Sequence, residues 1–178
     1  MVNPVRDERE TIPQHNPWCG DAVKPGQDSY KLEADRLLKQ GTEQYLAGQF
    51  QTALMLSQEA LNLYREAKDR SGEGQALGNI GSIYYALRDY TQSVEYSLQR
   101  LVIARELDDR RGEGQGLANL GNAYRHLRDN EQSIHYSQEN LTVARELKDR
   151  RAEMAALNNL GLAYKALKDY NRAVEYEL

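Results

Sequence analysis

Side-chain amides recur at helical spacing in this chain. Gln75, Asn79, Ser82 and Tyr85 follow one another at intervals of three or four. So do Gln115, Asn119, Asn122 and Arg125, with His126 beside it, and a third row holds Asn158, Asn159, Leu162 and Lys165. On a helix such positions share a face. An amide donates and accepts, so a row of asparagines can clamp the carbonyl and N–H groups of an extended peptide without reading its sequence. Arg125 and Lys165 would favour a carboxylate or an acidic side chain. The competing reading is structural: the asparagines bond within the scaffold and only hold it together.

Other chemistry finds less support. No Ser-His-Asp or Cys-His pairing is suggested, and the carboxylates cluster beside arginines at expected helix ends, which suits capping and surface pairing better than acid–base catalysis. No enzyme activity and no cofactor are expected. His126 and His135 are read as isolated, with no second ligand at metal spacing on the same face, so no metal site is expected. The Gly-Glu-Gly segments at 72–74 and 112–114 lack the lysine and the preceding strand of a phosphate-binding loop. Arg70, Arg110-Arg111 and Arg150-Arg151 recur along one edge, where Asp69, Asp108, Asp109 and Asp149 are expected to neutralise them. With a net charge of −4, nucleic acid is not an expected partner.

These residues are placed by a repeat. The run Gln115–Tyr124 is copied forty residues earlier at Gln75–Tyr84 and forty later at Ala155–Tyr164, with a fainter copy at Asp35–Gln44. Gly41, Gly81, Gly121 and Gly161 keep the register, as do Asp69-Arg70, Asp109-Arg110 and Asp149-Arg150. A fixed period of this size means a stacked array. Each unit reads as two antiparallel helices, A and B. Helix A carries the apolar stripes Leu77, Ile80, Tyr84, Leu87; Leu117, Leu120, Tyr124, Leu127; and Leu157, Leu160, Tyr164, Leu167. Helix B carries Val94, Leu98, Leu101, Ala104, Leu107 and then Ile134, Leu141, Ala144, Leu147. Asp89 and Asp129 are expected to cap helix B, with Gln92 and Gln132 completing a capping box, and Asp69, Asp109 and Asp149 to cap helix A. A glycine inside helix A costs about 1 kcal/mol against alanine. Its recurrence predicts that A and B cross closely there, opposite the small residues Ala53, Ser93, Ser133 and Ala173.

The 178 residues suffice for one short array, and the low mean hydropathy and 40% apolar fraction fit a thinly spread core. No run is long and apolar enough to span a bilayer and the first residues lack a signal-peptide core, so no membrane association is expected. The single cysteine, Cys19, fits a reducing compartment, and a cytoplasmic location is expected. Residues 1–28 hold all four prolines and no periodicity, and read as a flexible arm. In it, Trp18 either tucks against the first helix or stays loose. A redox site built from His15 and Cys19 would need an electropositive pocket that a loose arm does not offer.

Leu-Gly-x-x-Tyr on helix A (Leu120-Gly121 to Tyr124, Leu160-Gly161 to Tyr164, and Ile80-Gly81 to Tyr84), Asp89-Tyr90 and Asp169-Tyr170 at the joint, and Ser93-Val94, Ser133-Ile134 and Ala173-Val174 on helix B resemble the tetratricopeptide repeat family. The usual family period is about 34 residues; the longer period here is similar to that of spindle-orientation adaptors, kinesin light chains and bacterial multi-repeat proteins. The resemblance implies an all-α, right-handed superhelical solenoid of antiparallel helix pairs, with repeats at about 29–68, 69–108, 109–148 and a shortened 149–178. It also implies a concave groove lined by A helices. That makes the expected function a protein–protein interaction scaffold, holding a peptide or partner helix on Gln75, Asn79, Ser82, Tyr85, Gln115, Asn119, Asn122, Arg125, His126, Asn158, Asn159 and Lys165. The expected ligand is a protein or peptide, acidic or ending in a C-terminal carboxylate. Arg100 and Asn140 stand where the family carries a small residue late in helix B, so a looser contact with the next A helix is expected there. The last helix B begins at Tyr170 and no capping helix follows. The sequence is therefore expected to be a fragment of a longer array, or to self-associate through that end. A fragment reading would make it the sensory part of a larger signalling enzyme, such as a caspase-like protease or a kinase.

Overall fold

The computed structural model describes residues 26–176, and the expectations for the arm, with His15, Trp18 and Cys19, fall almost wholly outside them. Among the described residues there are eight helices: α1 (Gln27–Leu46), α2 (Phe50–Ala67), α3 (Arg70–Ala86), α4 (Tyr90–Glu106), α5 (Arg110–His126), α6 (Asn130–Glu146), α7 (Arg150–Ala166) and α8 (Tyr170–Tyr176). Odd-numbered helices are the A helices and even-numbered ones the B helices.

The aspartates start the helices as their spacing predicts. Asp69, Asp109 and Asp149 accept the N–H groups of Gly72, Gly112 and Ala152 at 2.9–3.0 Å, while Asp89 and Asp129 accept those of Gln92 and Gln132 at 3.1 Å. The second half of the expected capping box is not made. The Asp89 and Asp129 N–H groups already donate to the carbonyls of Tyr84 and Tyr124 in the preceding turn, and the Gln92 amide donates to Glu95 instead. Sequence reasoning missed why the joints repeat so evenly. Gly48, Lys68, Arg88, Asp108, Arg128, Lys148 and Lys168 each have φ between 54° and 76°, one left-handed residue at every joint. Only one of the seven is glycine. Each other pays about 1–2 kcal/mol for that conformation. Paired backbone bonds of the Schellman type offset the cost, such as Arg88 N–H to Tyr85 O and Asp89 N–H to Tyr84 O.

Each helix packs on its chain neighbours, and successive A helices also touch: α1 on α3, α3 on α5, α5 on α7. Among the described residues no contact joins one B helix to another. The A helices therefore converge and the B helices fan apart, which makes a curved solenoid with the A helices on its inner side.

Leu77, Ile80, Leu117, Leu120 and Leu160 are buried as expected. The helix-A tyrosines are stacked on partners from helix B, Tyr84 on Tyr96, Tyr124 on Tyr136 and Tyr164 on Tyr176, with centroids 5.4–5.6 Å apart. The expected apolar stripes are not buried along their whole length. Leu98, Leu107, Leu127, Leu147 and Leu167 are 36–46% exposed, four of them as the last residue before a left-handed joint. Ile103 and Val143 are buried instead, because a B helix is covered by its own A helix and by the next one.

The glycines do mark a close crossing. A Cβ on Gly41, Gly81 or Gly121 would lie 2.9, 2.8 or 2.6 Å from Ser57, Ser97 or Ser137 Oγ. These serines sit one turn beyond the expected Ala53, Ser93 and Ser133, which contribute their carbonyl oxygens at 3.3–3.7 Å. The looser contact expected at Arg100 and Asn140 does not occur: α4 packs on α5, and α6 on α7, at least as extensively as α2 on α3.

Candidate peptide-binding groove

The polar stripe faces the inner side, and its asparagines are not free. Asn79 Nδ2 donates to Thr42 Oγ1 at 2.9 Å, Asn119 Nδ2 to Ser82 Oγ at 3.1 Å, and Asn159 Nδ2 to Asn122 Oδ1 at 2.9 Å. Thr42 and Ser82 pass their own protons to the carbonyls of Leu38 and Gly78. Each asparagine thus forms a rung between consecutive A helices. The structural reading of these residues is correct for one N–H of each amide, except that the bonds join neighbouring repeats rather than staying within one. The Oδ1 atoms of Asn79 and Asn119 accept no hydrogen bond among the described residues.

Gln75 and Gln115 are exposed and line a cavity of about 790 Å³ together with Asn79, Ser82 and Asn119, with walls from helices α1 to α5. A second cavity of about 440 Å³ lies one repeat on and includes Gln115, Ala118 and Asn140. Asn158 and Lys165 are exposed but line neither cavity.

Tyr85, Arg125 and His126 form a separate cluster. The Tyr85 hydroxyl and His126 Nε2 are 3.0 Å apart, Arg125 Nη2 is 3.2 Å from the same nitrogen, and Tyr90 stacks on the His126 ring at 4.5 Å. This cluster joins the second and third repeats, and its members are engaged with one another. Burial, then the nearby Arg125 and Arg88 charges, hold the His126 pKa below its ordinary 6.5. The unfolded chain therefore takes up the proton first. The stabilising contribution of neutral His126 is complete above pH 6.5 and is lost as pH falls below it. The imidazole should titrate with a midpoint below 6.5 when followed by its NMR ring-proton shifts; a midpoint at or above 6.5 would contradict this environment.

His135 is not isolated, contrary to the expectation from its spacing. Its Nε2 lies 3.1 Å from Glu139 Oε1 one turn on, a carboxylate that also pairs with Arg105. Among the described residues no group of three histidine, cysteine or acidic side chains is placed to hold a metal ion. No described helix is long and apolar enough to cross a membrane. Of the edge arginines, Arg70 and Arg110 pair with glutamates rather than with the expected aspartates. Glu73 bridges Arg65 at 2.9 Å and Arg70 at 2.8 Å, and Arg70 reaches Glu106 at 2.7 Å. Glu113 likewise bridges Arg105 and Arg110, Arg110 reaches Glu146, and Arg145 pairs with Glu153. Asp69, Asp109 and Asp149 are already committed to helix caps.

Models of the tetratricopeptide repeat match residues 76–111 and 114–177. The chain belongs to the tetratricopeptide repeat family. Among solved structures this tetratricopeptide array is similar to BtubC (BKLC) from P. vanneervenii, at 19% identity and a TM-score of 0.76, covering 88% of this chain and 63% of that one. It is also similar to the apo form of RapI, at 18% and 0.78, covering 82% and 53%. Aspartyl phosphate phosphatase F from Bacillus subtilis matches at 18% and 0.74, covering 86% and 39%. The chain thus spans less than two thirds of each of these proteins, and at such identity the likeness is one of fold. No curated protein sequence matches it.

The tetratricopeptide groove contains several residues that sequence reasoning left out, chiefly Lys39, Arg100 and Arg111. Arg100 had a signal: a large cation at a small-residue register, flanked by the two Gly-Glu-Gly segments.

Proposed function

We propose that this tetratricopeptide array is a protein-interaction scaffold that holds an extended peptide or partner helix on the inner face of its A helices. The observation that carries the reading is the converging A helices with an amide row along them. The division of labour differs from a simple asparagine clamp. Asn79 and Asn119, each with one amide N–H committed to a rung, offer acceptor oxygens to peptide N–H groups. Gln75 and Gln115, exposed and without a side-chain hydrogen bond among the described residues, supply the donors to peptide carbonyls. Lys165 is exposed and available to an acidic side chain or a terminal carboxylate; Arg125 is engaged with His126.

Panning a display library of random dodecapeptides on the immobilised protein tests this. The double variant Gln75→Ala/Gln115→Ala removes two hydrogen bonds worth about 1 kcal/mol each, so retained peptides should bind roughly 30-fold more weakly. Its melting temperature should stay unchanged, because both side chains are exposed. Failure of the wild-type protein to retain any peptide, or equal binding by the variant, would overturn the reading. Asn119 is unsuitable for this purpose, since its loss also breaks a rung.

Self-association is a second reading, favoured by the exposed apolar residues of the last helix pair: Leu162, Leu167, Tyr170 and Val174 are 40–61% exposed. Light scattering over a range of concentrations distinguishes it, with mass rising only if copies stack.

A further inference from the structure

The Gly-Glu-Gly segments make room for one side chain. A Cβ on Gly112 would lie 1.9 Å from Arg100 Nη2, and a Cβ on Gly74 would lie 2.5 Å from Arg100 Nη1. The guanidinium therefore occupies a slot between α3 and α5 that only glycine leaves open. Its side chain is 5% exposed and donates through Nη2 to Asp109 Oδ2 at 2.8 Å. Nε is buried without a partner, and among the described residues the Asp109 bond is the only one the guanidinium makes. A guanidinium has five N–H donors, and burying it with most of them unanswered is costly.

Arg100 lines the larger groove cavity, together with Lys39 and Arg111. Neither Lys39 nor Arg111 has an ion-pair partner among the described residues. The two carboxylates in the cavity wall are already engaged: Asp35 accepts from the Tyr64 hydroxyl, and Asp109 from Arg100 and the Gly112 N–H. On a chain of net charge −4, three cations facing two committed carboxylates make a locally positive recess. The N-terminus of α5 adds its positive dipole end there. The matching cavity one repeat on has the neutral Asn140 in the place of Arg100, so the feature occurs once in these two cavities.

We propose that this recess is an anion subsite that takes one aspartate or glutamate side chain of a bound peptide between Arg100 and Arg111. The assignment rests on the groove reading above for the peptide, but the recess can be tested alone. Charge-assisted, bidentate pairing is the strongest use of an arginine fork, and here the fork is already oriented by Asp109 and the glycine slot.

The test is a titration of the protein with N-acetylglutamate α-amide at constant ionic strength, read on the Nε–Hε NMR signals of the arginines. Saturable shifts confined to Arg100 and Arg111 are expected, with the neutral glutamine analogue giving none. Arg111→Gln, at an exposed position, should fold normally and weaken binding by roughly tenfold. Small, unsaturated shifts spread over the edge arginines would overturn the proposal, as would equal shifts with the glutamine analogue. Saturation by inorganic phosphate but not by the carboxylate would overturn it in favour of a phosphoryl ligand. Peptides retained in panning should be enriched for an acidic residue with the wild-type protein and not with Arg111→Gln. Retained peptides without that enrichment would sink this inference alone; no retained peptides would sink the groove reading, and the titration would still decide the recess.

Discussion

Gly121→Val should lower the melting temperature by roughly 6–12 °C, while Leu127→Val should lower it by no more than about 2–4 °C. The glycine sits where α5 crosses α6. A Cβ there would lie 2.6 Å from Ser137 Oγ and 3.5 Å from the Ser137 nitrogen, and Ser133 Oγ donates to the Gly121 carbonyl at 2.9 Å. Ser137 is 1% exposed, so it cannot move aside into solvent. Valine adds three carbons to this contact and forces the helices apart. Overpacking of this kind costs about 3 kcal/mol, and each kcal/mol moves the transition of a chain this size by about 2–4 °C. Replacing glycine within a helix returns only a few tenths of a kcal/mol. Leu127, by contrast, is 43% exposed at a helix end, and loss of one methylene there costs about 1 kcal/mol or less. Thermal melts of the two variants check the ranking. The reverse order would mean that the A–B crossing is not the tight point of the repeat.

Gly112→Ala should destabilise the array by about 2 kcal/mol in the native background, and by much less when Arg100 is already alanine. The added methyl would overlap Arg100 Nη2 at 1.9 Å and Cζ at 2.4 Å. The guanidinium is held by Asp109 and enclosed, so relief requires breaking that pair or shifting α5. Removing Arg100 has its own cost, through the void and the released Asp109. The two substitutions should nevertheless couple by more than about 1 kcal/mol in a double-mutant cycle, as contacting residues do. The repeats already contain the alternative solution. In the fourth unit Ala152 stands at the Gly112 register, its N–H bonded to Asp149 at 3.0 Å, and the residue at the Arg100 register is the shorter Asn140. In the second unit Gly72 makes way for another large group, the Tyr64 ring, at 2.2 Å from its Cβ position. Unfolding free energies that add within about 0.3 kcal/mol would show that the slot is not what constrains Gly112.

The repeat, the helix pairing, the aspartate caps and the close crossing at the helix-A glycines were all legible in the residues. Each depends on a pattern that is local or repeats in register: apolar spacing of three and four, a cap three residues before the N–H it satisfies, a glycine facing a small residue in the same unit. The amide row could likewise be placed on one face of helix A. The sequence could not say which of those amides are occupied. Asn79, Asn119 and Asn159 bond to residues 37 positions away, at the register at which one A helix meets the next. That register depends on the tilt between repeats, which no single helix encodes. The same holds for the arginine edge, where Glu106 and Glu146 arrive from the far end of the paired helix, and for Leu107, Leu127 and Leu147, apolar residues that the left-handed joints turn toward solvent. Arg100 is the extreme case. By itself it is a large cation at a small-residue position; only the packing of α4 between α3 and α5 places two glycines around its guanidinium and sets it in the groove wall. Periodicity along the chain determined the fold, and the angle between successive repeats decided which side chains meet across them.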